Sequence, residues 1–138
     1  MGDRTAVVVG VGAERGLGAA LCRRFACAGH HVIANGRTAA NLDRVVESIR
    51  AAGGSAEAFP GDATHEADVA RLFDRAMDPG AGREPADLVA YNAGINQRID
   101  FRELSAQDFE SFWRVGCFAG FLTGREAARR LVPRAAAR

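Results

Sequence analysis

Between Val7 and Leu21 the chain reads VVVGVGAERGLGAAL, an apolar β-branched run that meets Gly10, Gly12, Gly16 and Gly18 and then an Ala/Leu-rich segment. Glycines allow a tight turn anywhere, so G-x-x-x-G-x-G alone is a weak signal. Its context is more informative. Between a predicted strand and a predicted helix, free N–H groups and the helix dipole favour an anionic group, and glycines let a pyrophosphate come close to the backbone. The second predicted strand ends at Asn35-Gly36-Arg37-Thr38, without the Asp or Glu that would hydrogen-bond the ribose 2′-hydroxyl of NAD. Arg37 offers a bidentate contact to a 2′-phosphate instead, and Arg15 in the glycine loop is a second cation. These residues point to a dinucleotide loop that favours NADP(H) over NAD(H). The plain alternative is a corner between strand and helix flanked by two solvated arginines.

Other reactive residue types are sparse. All 18 basic residues are arginine, so the sequence contains no lysine, and they nearly balance 17 acidic residues to leave a net charge of +1. That balance points to neither a nucleic-acid nor a membrane partner. Cys22, Cys27 and Cys117 lack the spacing of a disulfide framework or of a zinc site and read as reduced thiols, and His30, His31 and His65 supply no ligand set. No apolar stretch approaches the roughly 18 residues of a membrane helix, and the N-terminus is unlike a signal peptide, so the expected location is the cytoplasm.

The elements that must position these residues alternate. Strands are predicted at Thr5–Val11, His31–Asn35, Ala56–Pro60 and Asp87–Tyr91. A helix from Leu17 to Ala28 ends at Gly29; a second carries Leu42, Val45, Val46 and Ile49 on one face and closes at Gly53-Gly54. A third, with Thr64 as its cap, carries Val69, Leu72, Phe73 and Ala76. Asp78–Pro85 reads as a loop from its Pro and Gly content. Ser105-Ala106-Gln107-Asp108 is similar to a capping box with Asp in place of Glu, opening a helix with a break near Gly116 that runs to about Leu131. With 48% apolar residues, 138 residues suffice for one domain. Four strand–helix alternations predict an α/β fold, a parallel sheet with helices on both faces.

Val11-Gly12-Ala13-Glu14-Arg15-Gly16-Leu17-Gly18, Asp62-Ala63 and Tyr91-Asn92-Ala93-Gly94, in this order and spacing, resemble the short-chain dehydrogenases/reductases over essentially the whole chain. The resemblance implies a Rossmann-type doubly wound sheet, residues 1–138 forming a single NAD(P)-binding domain. It implies that Gly12, Gly16, Leu17 and Gly18 line the pyrophosphate and that Arg15 and Arg37 face the adenosine 2′-phosphate. Asp62 would hydrogen-bond the adenine amino group, with Ala63 beside the ring; as a residue type Asp62 equally fits a turn cap. Asn92, Ala93 and Gly94 would stabilise the central strand and pass beneath the cofactor ribose. Tyr91 reads as strand core with its hydroxyl hydrogen-bonded, and no chemistry is assigned to it.

The family's motifs are not all present. Val11 stands for the usual Thr and Tyr91 for the first Asn of N-N-A-G. Val115-Gly116-Cys117-Phe118-Ala119-Gly120-Phe121 resembles the family helix V-N-x-x-G-x-F, which puts Gly116 at the catalytic Asn position, or Cys117 if the register slips by one. The family's catalytic Ser and Tyr-x-x-x-Lys find no counterpart: Tyr91 is followed four places on by Ile95, and no Ser follows Ser111. The expectation is therefore a fold cut after the fourth strand and its following helices, with no catalytic residues in this chain and no metal. Its ancestry would be an NADP-dependent oxidoreductase moving hydride between the dinucleotide and a small carbonyl or alcohol substrate. A non-catalytic NADP(H)-binding or dimerising module is the alternative. An open apolar edge on the fourth strand implies a homo-oligomer.

Overall fold

The structure, a computed structural model, describes residues 3–80 and 82–137. Four parallel strands, β1 (Asp3–Val9), β2 (His30–Gly36), β3 (Ser55–Pro60) and β4 (Arg83–Tyr91), lie in the order β3-β2-β1-β4. The helices are α1 (Leu17–Cys27), α2 (Ala39–Ala51), α3 (Glu66–Met77), α4 (Ala106–Trp113) and α5 (Ala119–Ala136), with a π-helical turn at Arg114–Phe118 joining the last two. β1 is apolar on both faces because both are covered. Val8 meets Ala19 and Cys22 of α1 and Leu42 and Val45 of α2 on one side. Val7 and Val9 meet Leu72 and Ala76 of α3 on the other, where Leu122 of α5 packs on Val69 and Phe73. This is the doubly wound α/β arrangement that the alternation predicts.

Several boundaries differ from the sequence reading. β1 stops at Val9, short of Val11, because Gly10 turns at φ +95° and the Gly10 and Val11 N–H groups both donate to the Asn35 carbonyl at 3.1 and 2.9 Å. β4 starts at Arg83, inside the predicted loop: Asp3 N–H donates to the Gly82 carbonyl and Thr5 Oγ1 to that of Glu84. Pro85, which has no N–H, sits where the β1–β4 register shifts between Asp3 and Thr5.

Thr64 does not cap α3. Its hydroxyl donates to Asp62 Oδ1 at 2.7 Å, and the cap position falls to His65, with Glu66 and Asp68 in the first turn to complement the dipole. Ser105 does cap α4, accepting from the Asp108 N–H at 3.0 Å. The chain does not break at Gly116; the π-turn absorbs one residue, and the rod continues past Leu131 to Ala136 with Pro133 inside it. Pro133 costs α5 one backbone hydrogen bond. Leu131 nevertheless packs against the α3 cluster, and Arg130 pairs with Asp74 of α3 at 2.6 Å, which holds the last turns in place.

Candidate functional site

The chain leaves β1 for β2 on one side and returns from β3 to β4 on the other. The strand order therefore reverses between β1 and β4, where a crevice must open at the carboxyl ends of the strands. A cleft of about 520 Å³ lies there. Its walls come from the segments after all four strands and from the α4–α5 rod.

The first wall is the glycine loop. A Cβ on Gly10 would overlap the backbone of Ala93 and Asn92, and one on Gly18 would come within 2.5 Å of the Gly10 carbonyl oxygen. These two glycines let β4 and α1 close on the end of β1. A Cβ on Gly12 would meet nothing within 4 Å, so the protein itself does not require glycine there; that space belongs to the cleft. Gly16 occupies the N-cap of α1 with no side-chain cap, and the first turn holds no acidic residue. The start of α1 therefore has neither a side-chain cap at Gly16 nor an acidic residue in its first turn to complement its dipole. Arg23 of α1 donates to the Glu14 carbonyl at 2.9 Å and fixes the loop.

The second wall is the end of β2. Asn35 is buried and donates from Nδ2 to the Phe59 carbonyl at 2.9 Å. Gly36 lies against the Val11 carbonyl so closely that no side chain fits. Arg37 is exposed on the cleft wall beside Thr38 and Asn41. Arg15, also exposed, stands in the loop with Gly16 and Leu17, and these three together with Gly18 are not among the residues that wall the cleft.

Asp62 and Ala63 line the third wall. Asp62 Oδ1 accepts from the Thr64 N–H at 2.8 Å and from its hydroxyl, while the Asp62 N–H donates to Asp68 Oδ2 at 2.8 Å. Burial opposes ionisation of Asp62, but the Thr64 hydrogen bonds and the nearby charges of His65 and Arg37 hold its carboxyl below the usual range. Asp62 is therefore a turn cap, with its Oδ2 outside that turn. Asp68, which the sequence reading passed over, holds the turn from α3; its place three residues after the α3 N-cap is the signal that could have marked it.

Asn92, Ala93 and Gly94 close the floor. Asn92 N–H donates to the Val9 carbonyl at 2.7 Å and Asn92 Nδ2 to that of Gly10 at 3.2 Å, so its amide ties the end of β4 to the glycine loop. Tyr91 is half-buried, with its hydroxyl donating to the Val115 carbonyl in the π-turn. Burial raises its pKa, and Cys117 adds to the rise. Ser111, Arg114, Val115 and Ala119 form the remaining wall, which the sequence reading did not assign. A Cβ at Gly116 would meet nothing within 4 Å. Cys27 and Cys117 are exposed free thiols; burial pushes the Cys22 thiol up to about 12. Among the described residues no group of three or more His, Cys, Asp or Glu could hold a metal ion, and no helix is long and apolar enough to cross a membrane.

A glycine loop, an uncapped helix N-terminus and a crevice at the strand reversal define the class as a Rossmann-like nucleotide-binding α/β protein. The sequence pattern described as short chain dehydrogenase matches residues 5–138, and the chain belongs to that family of oxidoreductases. It is 32% identical over 127 residues to gluconate 5-dehydrogenase of Gluconobacter oxydans, covering 89% of this chain and 47% of that protein. It is 37% identical over 117 residues to 3beta-hydroxysteroid dehydrogenase 1 of Eggerthella lenta, covering 82% and 44%. The crystal structure of a short-chain dehydrogenase from Rhodopseudomonas palustris superposes with a TM-score of 0.82 at 32% identity, covering 95% of this chain and 59% of the other. This chain thus spans about half the length of the curated relatives it matches.

Proposed function

We propose that residues 1–138 are a single domain that binds NADP(H) in the cleft at the β1–β4 switch point. The observation that carries this reading is the end of β2, where Arg37 faces the cleft and no carboxylate stands to receive a ribose 2′-hydroxyl. The residues fit a dinucleotide. Gly12 and Gly94 leave open space where a side chain would intrude, and the first turn of α1 has no side-chain cap and no acidic residue. In this reading Gly12, which lines the cleft, and Gly16, Leu17 and Gly18, which follow it in the loop, hold the pyrophosphate; Arg37 on the cleft wall and Arg15 in the loop hold the 2′-phosphate, and Asp62 and Ala63 the adenine. Asn92, Ala93 and Gly94 carry the ribose. A bound dinucleotide supplies a hydride for exchange with a carbonyl or alcohol, the chemistry that the names of the dehydrogenase relatives support without agreeing on a substrate.

This chain's own residues hold the dinucleotide without supplying the proton. The sequence has no lysine, the hydroxyl of its one tyrosine is engaged by the Val115 carbonyl, and Gly116 has no side-chain amide. We therefore propose binding without turnover by these 138 residues, which is also what a non-catalytic binding module would do. The apolar side chains of Phe109, Trp113 and Phe121, 62%, 45% and 55% exposed, favour a homo-oligomer.

Titration of the protein with NADPH and NADH, followed by calorimetry, tests the reading. The expected result is NADPH binding tighter by about tenfold or more, equivalent to ~1.4 kcal/mol. Equal affinities would remove the NADP(H) preference, and failure to bind either would remove the dinucleotide site. Oxidation of NADPH by the pure chain over a panel of carbonyl compounds would overturn binding without turnover. Light scattering at the monomer mass of 14.6 kDa alone would overturn the oligomer.

A further inference from the structure

The helix wall of the cleft has no role in the reading above, yet it presents two hydrogen-bond donors. Ser111 and Arg114 lie three residues apart, neighbours on one side of the rod where α4 enters the π-turn, and both line the cleft. Arg37 and Thr38 line it from the end of β2. Two arginines thus line the cleft on two different walls. The single carboxylate among its lining residues, Asp62, already has Oδ1 committed to Thr64.

The other contacts of Arg114 leave its fork available. Glu110 Oε1 lies 3.6 Å away, and the two side chains of that pair are 49% and 68% exposed, so water screens it heavily. The guanidinium carbon sits 5.5 Å from the centre of the Phe118 ring, which itself stacks on Trp113 at 5.7 Å. An aromatic face orients a guanidinium without consuming its N–H donors. Planar forks on two walls match an anion with several acceptor oxygens, and phosphate is the anion that guanidinium forks recognise bidentately.

We propose that Ser111 and Arg114 complete a phosphate clamp, meeting from the helix side the adenosine 2′-phosphate that Arg37 meets from β2 and Arg15 from the glycine loop. This inference rests on the NADP(H) reading of the cleft. It makes Arg114 a specificity-determining residue and gives the π-turn a purpose, since that turn sets where Arg114 stands relative to the cleft.

The test is calorimetric titration of the protein and its variants with 2′,5′-ADP and with 5′-ADP, which differ only in the 2′-phosphate. Wild type is expected to prefer 2′,5′-ADP. Arg114→Ala is expected to weaken 2′,5′-ADP by about tenfold or more while changing 5′-ADP by less than about twofold. Arg114→Lys, which keeps the charge and loses the fork, recovers part of the loss, and Ser111→Ala shifts binding in the same direction as Arg114→Ala. Arg114→Ala weakening both nucleotides equally, or neither, overturns the clamp. If wild type does not distinguish the two nucleotides, the NADP(H) reading fails and the clamp with it. If wild type distinguishes them, Arg37→Ala abolishes the distinction and Arg114→Ala leaves it intact, the clamp alone fails. Arg114 is exposed, so its variants are expected to keep the wild-type melting curve, which circular dichroism reads directly.

Discussion

The Tyr91 hydroxyl donates to the Val115 carbonyl, joining the end of β4 to the π-turn across 24 residues of sequence. A π-turn leaves carbonyls without their usual α-helical partner, and this bond takes up one of them. The Tyr91 ring also packs over Gly120, whose Cβ, if present, would lie 3.4 Å from the ring edge. One side chain thus fixes both the position and the irregularity of the rod that forms the cleft's fourth wall.

Tyr91→Phe keeps that packing and removes the bond. The expected cost is about 1 kcal/mol, or a melting temperature lower by about 3–6 °C. Thermal unfolding by circular dichroism measures it. An unchanged melting temperature would show that the carbonyl finds another partner.

Gly10 and Gly12 separate folding from binding. Gly10→Ala places a methyl in the backbone of Asn92 and Ala93 at a residue with φ +95°, and is expected to destabilise the protein by more than about 2 kcal/mol. Gly12→Ala meets nothing in the protein and is expected to leave the melting temperature within about 2 °C of wild type, while the thermal shift produced by saturating NADPH falls sharply. Equal effects of the two substitutions on stability would contradict this division.

Glu57 ties β3 to β2 and α3. Burial opposes its ionisation, but hydrogen bonds from His31 Nε2 at 2.8 Å and Arg75 Nε at 3.0 Å, together with their charges, hold its pKa at about 2 instead of 4.5. A carboxylate whose pKa is lower in the folded state contributes stability that is fully present above pH 4.5. That stability is lost as the pH falls towards 2. The contribution is at most about 3 kcal/mol. Glu57→Gln is expected to lower stability at pH 7 and to flatten the fall between pH 4.5 and 2. Denaturant titrations across that range decide it, and parallel acid limbs for the two proteins would contradict the assignment.

Gly116 occupies a helical position where a Cβ meets nothing within 4 Å. Gly116→Ala is expected to stabilise the protein by about 0.5–1 kcal/mol, by restricting the unfolded chain. Urea denaturation tests this. A loss of stability would mean that the π-turn needs glycine for its backbone conformation.

What was legible in the sequence was local or periodic. A run of valines identifies a strand covered on both faces, the spacing of Leu42, Val45, Val46 and Ile49 identifies a helix face, and the glycines after β1 announce a sharp strand-to-helix corner. Ser105 three residues before Asp108 is a cap that needs no knowledge of the fold. Each depends on interactions within a few residues, so residue type and spacing carry it. The readings that missed depended on distant partners. Thr64 looks like a cap until Asp62 engages its hydroxyl, and the start of β4 at Arg83 is set by pairing with Asp3 and Thr5. Nothing around Gly116 says that the helix passes through a π-turn, because the group that engages its Val115 carbonyl lies on β4.

The sequence by itself therefore determined the alternation of strands and helices and the place of the glycine loop, since backbone conformational preference and hydrophobic period are written residue by residue. Tertiary structure decided which side chains share the cleft. Arg37 and Arg114 stand 77 positions apart in the chain, and Asn92 reaches back to Gly10. Only the stacking of β2, β1 and β4 side by side, with the α4–α5 rod laid across their ends, brings such residues to one place. That arrangement is fixed by burying both faces of the sheet at once, a condition on the whole chain that no local segment records.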